Sequence, residues 1–199
     1  MPFIILYLFV RSLRRPAYFS TLPERWGELP VSYGQTGGGG IWLHAVSVGE
    51  ALSLVELVRR LRTELPTAPL FLSVSTLAGR GVADEKLGSL VDGIFYAPLD
   101  FVFVVRRVLR TLRPSVVVVA ETEIWPNLFR EVKRAGCGLI VVNGRISDEA
   151  APRYLKWRWF FRHALSPFTP GSSVGAFGRF FPNRCWLRPN LAGWPLPFK

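Results

Sequence analysis

Histidine, cysteine and methionine are nearly absent from this chain: two, two and one among 199 residues. His44 and His163 lie far apart, so a histidine-centred metal site has no ligand set to draw on. Cys137 and Cys185 form no Cys-x-x-Cys pair and have no histidines at zinc spacing. A reducing compartment is therefore the default, and neither metal nor disulfide chemistry is indicated. Acidic residues stop at Glu149, and eight of the 25 basic residues follow it. The first 149 residues carry 17 basic and 14 acidic side chains, a balance of +3 against +11 for the whole chain. The charge belongs to the tail, which argues against a nucleic-acid-binding body. No Gly-x-Gly-x-x-Gly turn and no Gly-Lys-Ser/Thr phosphate loop occur. The tetraglycine Gly37 to Gly40 comes before the first strand-like run, where it reads as a flexible linker.

Long hydrophobic runs are also missing. Phe3 to Val10 is continuously apolar, but a helix needs roughly 20 such residues to cross a bilayer. Arg11, Arg14 and Arg15 follow that run, whereas a signal peptide places its charge ahead. The pattern is that of a short helix dipping into a membrane interface with arginines on anionic headgroups.

What is present is a regular alternation. Ile41 to Val46, Leu70 to Val74, Ile94 to Ala97, Val116 to Ala120 and Leu139 to Val142 read as strands. Between them, Leu52 to Leu65, Leu77 to Val91, Phe101 to Leu112 and Pro126 to Ala135 read as helices. Asp100 is placed to cap the third helix, Pro126 to open the fourth and Gly136 to stop it. Strands this apolar, separated by helices, imply an α/β fold: a Rossmann-like parallel sheet with helices on both faces. The domain division expected is 1–34 as a membrane-proximal segment, 35–165 as the Rossmann-like domain and 166–199 as a divergent tail. Tyr154 to Leu165 suits one more helix. Six prolines and four glycines then punctuate residues 166–199 without any hydrophobic period, the texture of a disordered segment.

Two strand ends carry acids. Ile41 to Val46 runs into Ser47-Val48-Gly49-Glu50, and Val116 to Ala120 runs into Glu121-Thr122-Glu123. In an open α/β sheet, ligands bind outside the carboxyl ends of strands. Ser47-x-x-Glu50 fits a helix capping box, with Ser47 accepting from the Glu50 amide and Glu50 reaching back. The same segment differs from a Gly-x-Ser-x-Gly nucleophile elbow at its first position, although His163 is the one later histidine a serine hydrolase could use. A third reading makes Glu50 a general base, which requires burial or a neighbouring acid such as Glu121 to outweigh the helix dipole.

Several segments together resemble one family. Trp42 to Glu50, Glu121-Thr122-Glu123-Ile124-Trp125-Pro126-Asn127 and Asn143-Gly144-Arg145-Ile146-Ser147 are similar to three signature segments of 3-deoxy-D-manno-octulosonic acid (Kdo) transferases. Glu24-Arg25-Trp26-Gly27 resembles that family's opening motif, and Ser73-Val74-Ser75-Thr76 with Gly79 its turn after the second strand. Order and spacing agree over about residues 1 to 165. The resemblance implies one half of a GT-B glycosyltransferase on the cytoplasmic face of the inner membrane. Such an enzyme moves Kdo from CMP-Kdo to a lipid A precursor (lipid IVA) with inversion and without a required cofactor or metal.

By position, the resemblance makes Glu50 the general base and Glu121 an acid that stabilises the transition state. It places Ser47, Gly49, Glu123, Asn127 and Arg145 against substrate, with Arg145 or Arg80 toward acceptor phosphates. Arg11, Arg14 and Arg15 would meet an anionic membrane surface. The donor-binding domain of that family, with its lysine-bearing segment, has no counterpart here, and the tail reads as a frameshifted or mispredicted end. Two rival expectations are a non-catalytic phosphoglycolipid-binding module at the membrane surface and a serine hydrolase with Ser47 as nucleophile.

Overall fold

The apolar runs become the five strands of one sheet in the computed structural model, which describes residues 16–121 and 125–142. They are β1 (Ile41–Ala45), β2 (Leu70–Val74), β3 (Gly93–Tyr96), β4 (Val116–Ala120) and β5 (Gly138–Val142). Seven helices among the described residues accompany them: α1 (Leu22–Arg25), α2 (Val31–Gly34), α3 (Val48–Ser53), α4 (Val55–Glu64), α5 (Leu77–Leu87), α6 (Val102–Leu112) and α7 (Pro126–Arg134). A 3₁₀ turn, Pro16–Thr21, precedes α1. All strand pairs are parallel and the order is β3-β2-β1-β4-β5.

Period-two alternation splits each strand between two cores. Trp42, Phe71, Phe95, Val117, Val119 and Leu139 pack under α6 and α7. Leu43, Ala45, Leu72, Val74, Val118 and Ala120 pack under α3, α4 and α5. Both faces are covered, which is why the strands read as unbroken apolar runs. The predicted fold class therefore stands. The chain winds from β1 outward through β2 and β3, then returns to β4 beside β1 and continues to β5. The reversal falls between β1 and β4, whose carboxyl ends are where an open α/β sheet ordinarily receives its ligand.

The segment before the sheet is held firmly to it. The guanidinium of Arg25, 3% exposed, donates to the Ser75 carbonyl at 2.7 Å, and the Leu99 amide donates to the Arg25 carbonyl at 2.9 Å. Tyr33 lies against Phe71 and Phe95 with centroids 5.1 and 6.4 Å away, its hydroxyl donating to the Ile94 carbonyl at 3.2 Å.

Three details differ from the sequence reading. The single helix expected from Leu52 to Leu65 begins earlier and breaks at Leu54 into α3 and α4. The Ser53 hydroxyl donates to the Glu50 carbonyl at 2.7 Å there, competing with the helical ladder. Asp100 does not cap α6, whose N-cap Phe101 makes no side-chain cap bond; it serves α7 instead. The tetraglycine is not a flexible linker. Gly37, Gly38 and Gly39 hold φ of +85°, +79° and +77° in succession, a left-handed path open to glycine alone at low cost. Gly39 donates to the Arg113 carbonyl at 2.9 Å and the Gly40 carbonyl accepts from Ser115 at 2.8 Å, so the run enters β1 already bonded. The apolar run Phe3 to Val10, Arg11, Arg14 and Arg15, the helix expected from Tyr154 and the tail all lie outside the described residues.

The two ends of the glycine run predict unequal costs. A Cβ on Gly37 meets nothing within 4 Å, so Gly37→Ala carries the left-handed penalty alone, about 1 kcal/mol. A Cβ on Gly40 would stand 2.3 Å from the Pro69 carbonyl oxygen, so Gly40→Ala must displace backbone and costs clearly more. Urea denaturation of the two variants checks the ranking.

Candidate functional site

At the end of β1 the chain turns through Val46 into Ser47, whose extended backbone makes it the N-cap of α3. Its Oγ accepts from the Glu50 amide at 3.2 Å and donates to Glu50 Oε1 at 2.9 Å. Glu50 Oε2 accepts from the Val46 amide at 2.6 Å. The capping box forms, with the glutamate reaching one residue further back than the usual partner. Glu50 is 5% exposed, and its two oxygens are fixed by one hydroxyl and one backbone donor. Gly49 stands exposed in the same first turn.

β4 ends beside it. Its register with β1 runs through His44↔Val119, so Ala120 and Glu121 leave the sheet next to Ala45 and Val46. Glu121 donates its amide to the Val142 carbonyl at 2.7 Å and has φ +57°. A glutamate in the left-handed region is unfavourable, and such outliers concentrate at functional sites. The sequence offered no sign of that conformation. Ser47, Gly49, Glu50 and Glu121 thus meet on two adjoining strand ends. Glu123 and Arg145 lie outside the described residues.

Asn127, in the first turn of α7, is occupied structurally: its Nδ2 donates to the Asp100 carbonyl at 2.6 Å and its Oδ1 accepts from Arg130 at 3.0 Å. The Asp100 carboxylate receives the Asn127 and Leu128 amides at 3.2 and 2.7 Å, capping α7 from the loop after β3. Burial lifts its carboxyl from 3.8 to about 6, against the two amides and Arg130, which favour the charge. Sequence reasoning assigned Asp100 to the adjacent helix, because proximity in the chain was the signal available.

His44 was also missed as part of this end of the sheet. Its Nδ1 lies 2.8 Å from Ser73 Oγ, which also accepts from Trp42 Nε1 at 2.8 Å. The imidazole sits edge-on to Trp125 at 5.2 Å between centroids, just before α7. Burial pushes it down from 6.5 to about 4, so it is neutral at pH 7. On the other flank, Glu24 Oε2 accepts the Tyr96 amide at 2.6 Å and Arg80 at 3.4 Å. Arg25 and Arg80 stand over the Tyr96 ring at 5.1 and 5.4 Å. Gly79, beside Ser47, lets α5 and α3 start close together. Among the described residues, no three His, Cys, Asp or Glu side chains converge as a metal site.

Two acids on neighbouring strand ends, one buried in a cap and one in a strained turn, occur here with a recognisable relation in sequence. Residues 20–170 match the profile of a family described as 3-deoxy-D-manno-octulosonic-acid transferase (kdotransferase). The chain belongs to this Kdo transferase family. It is similar to the 3-deoxy-D-manno-octulosonic acid transferase of Haemophilus influenzae, 32% identical over 160 residues, 78% of this chain and 36% of that protein. The enzyme of the same name from Chlamydophila psittaci is 32% identical over 145 residues, 73% of this chain and 31% of its own length. A bifunctional glycosyltransferase/methyltransferase of Fusobacterium nucleatum is 34% identical over 126 residues, 63% of this chain and 20% of that protein. The chain thus spans about a third of the length of the first two curated relatives. The Kdo transferase match includes the Glu24 segment, both acidic strand ends and α7.

Two predictions follow from this geometry. The unfolded chain protonates His44 below 6.5 while the folded chain does not until about 4, so His44 makes stability rise with pH across that window. Asp100 acts oppositely: its contribution is full below 3.8 and is lost as pH rises through about 6. Asp100→Asn removes the opposing term, and urea denaturation should then show stability climbing more steeply from pH 4 to 6 than in the parent. Equal slopes would refute the buried acid. Glu121→Gly relieves the left-handed strain, so its urea midpoint should match or exceed the parent's, by up to about 1 kcal/mol in stability.

Proposed function

We propose that this chain is the acceptor-binding half of a GT-B glycosyltransferase that transfers Kdo from CMP-Kdo to the lipid A precursor with inversion. The observation that carries the proposal is the buried, doubly hydrogen-bonded Glu50 beside the strained Glu121, at the reversal of a parallel sheet. Membership of the Kdo transferase family supplies the reaction class.

In this reading the acceptor hydroxyl enters the crevice from above β1 and β4. Glu50 takes its proton as the oxygen attacks the anomeric carbon of Kdo from the face opposite CMP. One carbon–oxygen bond forms, the bond to the phosphate oxygen breaks, and CMP leaves with the electron pair. Val46 and Ser47 hold the carboxylate still, so its basic lone pair is aimed before the substrate arrives. Glu121 stabilises the positive charge that grows on the sugar ring as the leaving group departs. Ser47, Gly49, Glu123, Asn127 and Arg145 belong to the substrate surface, with Arg80 toward acceptor phosphate. The donor is held by a second half, as a match over about a third of the relatives' length leaves room for.

A lipid acceptor calls for contact with an anionic membrane surface, here the cytoplasmic face of the inner membrane. Phe3 to Val10 with Arg11, Arg14 and Arg15 supplies one contact. Trp26, Phe101 and Phe103 supply another, stacked at 5.8 to 5.9 Å with Trp26 and Phe103 exposed. No helix among the described residues is long and apolar enough to cross a membrane. Ser47 donates to Glu50, and the one described histidine, His44, is bonded to Ser73 instead; His163, which the hydrolase reading would use, lies outside the described residues.

Glu50→Gln keeps the shape of the cap and removes the base. In a chain carrying the donor-binding half, supplied with CMP-Kdo and lipid IVA, it should lower turnover about 100-fold or more with little change in acceptor KM. Turnover equal to the parent's would reject Glu50 as the base. Acceptor binding without turnover in the parent would instead favour a non-catalytic phosphoglycolipid module.

A further inference from the structure

The opposite end of the sheet carries a second concentration of charge that the proposed transfer does not use. α6, α7 and Arg113 hold seven basic residues against one acid, Glu131, although the first 149 residues together are nearly balanced. A cavity of about 590 Å³ opens between the last turns of these helices. Pro114 and Cys137, just ahead of β4 and β5, line it, so it lies at the amino ends of the strands, away from Glu50 and Glu121. Four guanidiniums face it, from Arg106, Arg110, Arg113 and Arg134.

The arrangement is organised by Glu131. This carboxylate is 2% exposed and accepts from Arg106 at 2.6 Å, Arg130 at 3.1 Å and Arg134 at 3.2 Å. Burial opposes its charge, but the hydrogen bonds from Arg106 and Arg130 and the charges of Arg106 and Arg134 prevail and hold the carboxyl below its usual value. One buried acid thus gathers three arginines and neutralises one of them. Arg110 and Arg113 have no carboxylate partner among the described residues; they donate to the carbonyls of Arg106 at 3.2 Å and Gly34 at 2.9 Å. Helix dipoles favour cations in last turns, which accounts for Arg110 and Arg134 separately. It does not account for Arg106 in mid-helix turning toward the same space, or for a net charge of about +3 around one cavity.

We propose that this cavity binds an organic phosphate of two or more negative charges, in a site separate from the crevice above β1 and β4. Arginine forks match phosphate oxygens two at a time. Leu109 and Pro114 offer an apolar wall for the body that carries the phosphate, and the volume is that of a small-molecule site. The same group can arrive as a soluble phosphate ester or as a lipid phosphomonoester headgroup.

Inorganic pyrophosphate is the probe, titrated calorimetrically into the full chain at low ionic strength. Binding is expected in the parent and in Glu50→Gln alike, because the active crevice is elsewhere. Arg110→Ala should weaken it about tenfold, and Arg110→Ala with Arg113→Ala should abolish it. Circular dichroism melts establish that these exposed substitutions leave the fold intact, and Arg134→Ala provides an independent second variant. Competition by phosphatidic acid vesicles assigns the site to a lipid headgroup; its absence assigns it to a soluble phosphate. No heat of binding in the parent, or affinity unchanged in all the arginine variants, overturns the proposal.

Discussion

A parallel sheet buried on both faces forces everything else in this chain. Each strand must return to the same end through a helix, so every strand end and helix start gathers on one rim. The order β3-β2-β1-β4-β5 makes the path diverge once, between β1 and β4, the point at which such sheets ordinarily receive a ligand. Ser47 and Glu50 on one side and Glu121 on the other are consequences of that divergence. The buried Arg25 segment and the Asp100 loop then brace the flanks, each by donating to or accepting from backbone at a strand or helix end.

The brace and the site share material. Glu50 is simultaneously the reciprocal cap of α3 and an acid at the divergence. Capping orients it without committing all its lone pairs, so structure and proposed chemistry do not compete for the residue. Glu121 differs, because its backbone conformation costs stability and brings no capping benefit. A fold that tolerates one such residue must over-determine its surroundings, and the bond from its amide to Val142 does part of that.

Much of this was legible in sequence. Valine-rich runs such as Val116 to Ala120 admit one environment, and Ser47-x-x-Glu50 carries its cap in its spacing. The rest needed the third dimension. Asp100 sits one residue before α6 yet serves α7, because the loop after β3 ends beside the start of a helix 26 residues further on. The tetraglycine looked like slack, since composition reports freedom and says nothing of a chain fixed at three successive positive φ values. The break at Leu54 is equally local, set by one serine hydroxyl. Glu123 and Arg145 remain assignments by motif.

The polar trio inside the upper core has a further consequence. Trp42 can only donate, and it donates to Ser73 Oγ at 2.8 Å; the same oxygen lies 2.8 Å from His44 Nδ1 and donates to the Leu43 carbonyl at 3.4 Å. His44 Nε2, on the far side of the ring, is buried without a hydrogen-bond partner among the described residues, so Ser73 is the ring's one polar anchor there. Changing one member strands a buried donor or acceptor on another, so the three positions are one unit of inheritance, open to variation only together.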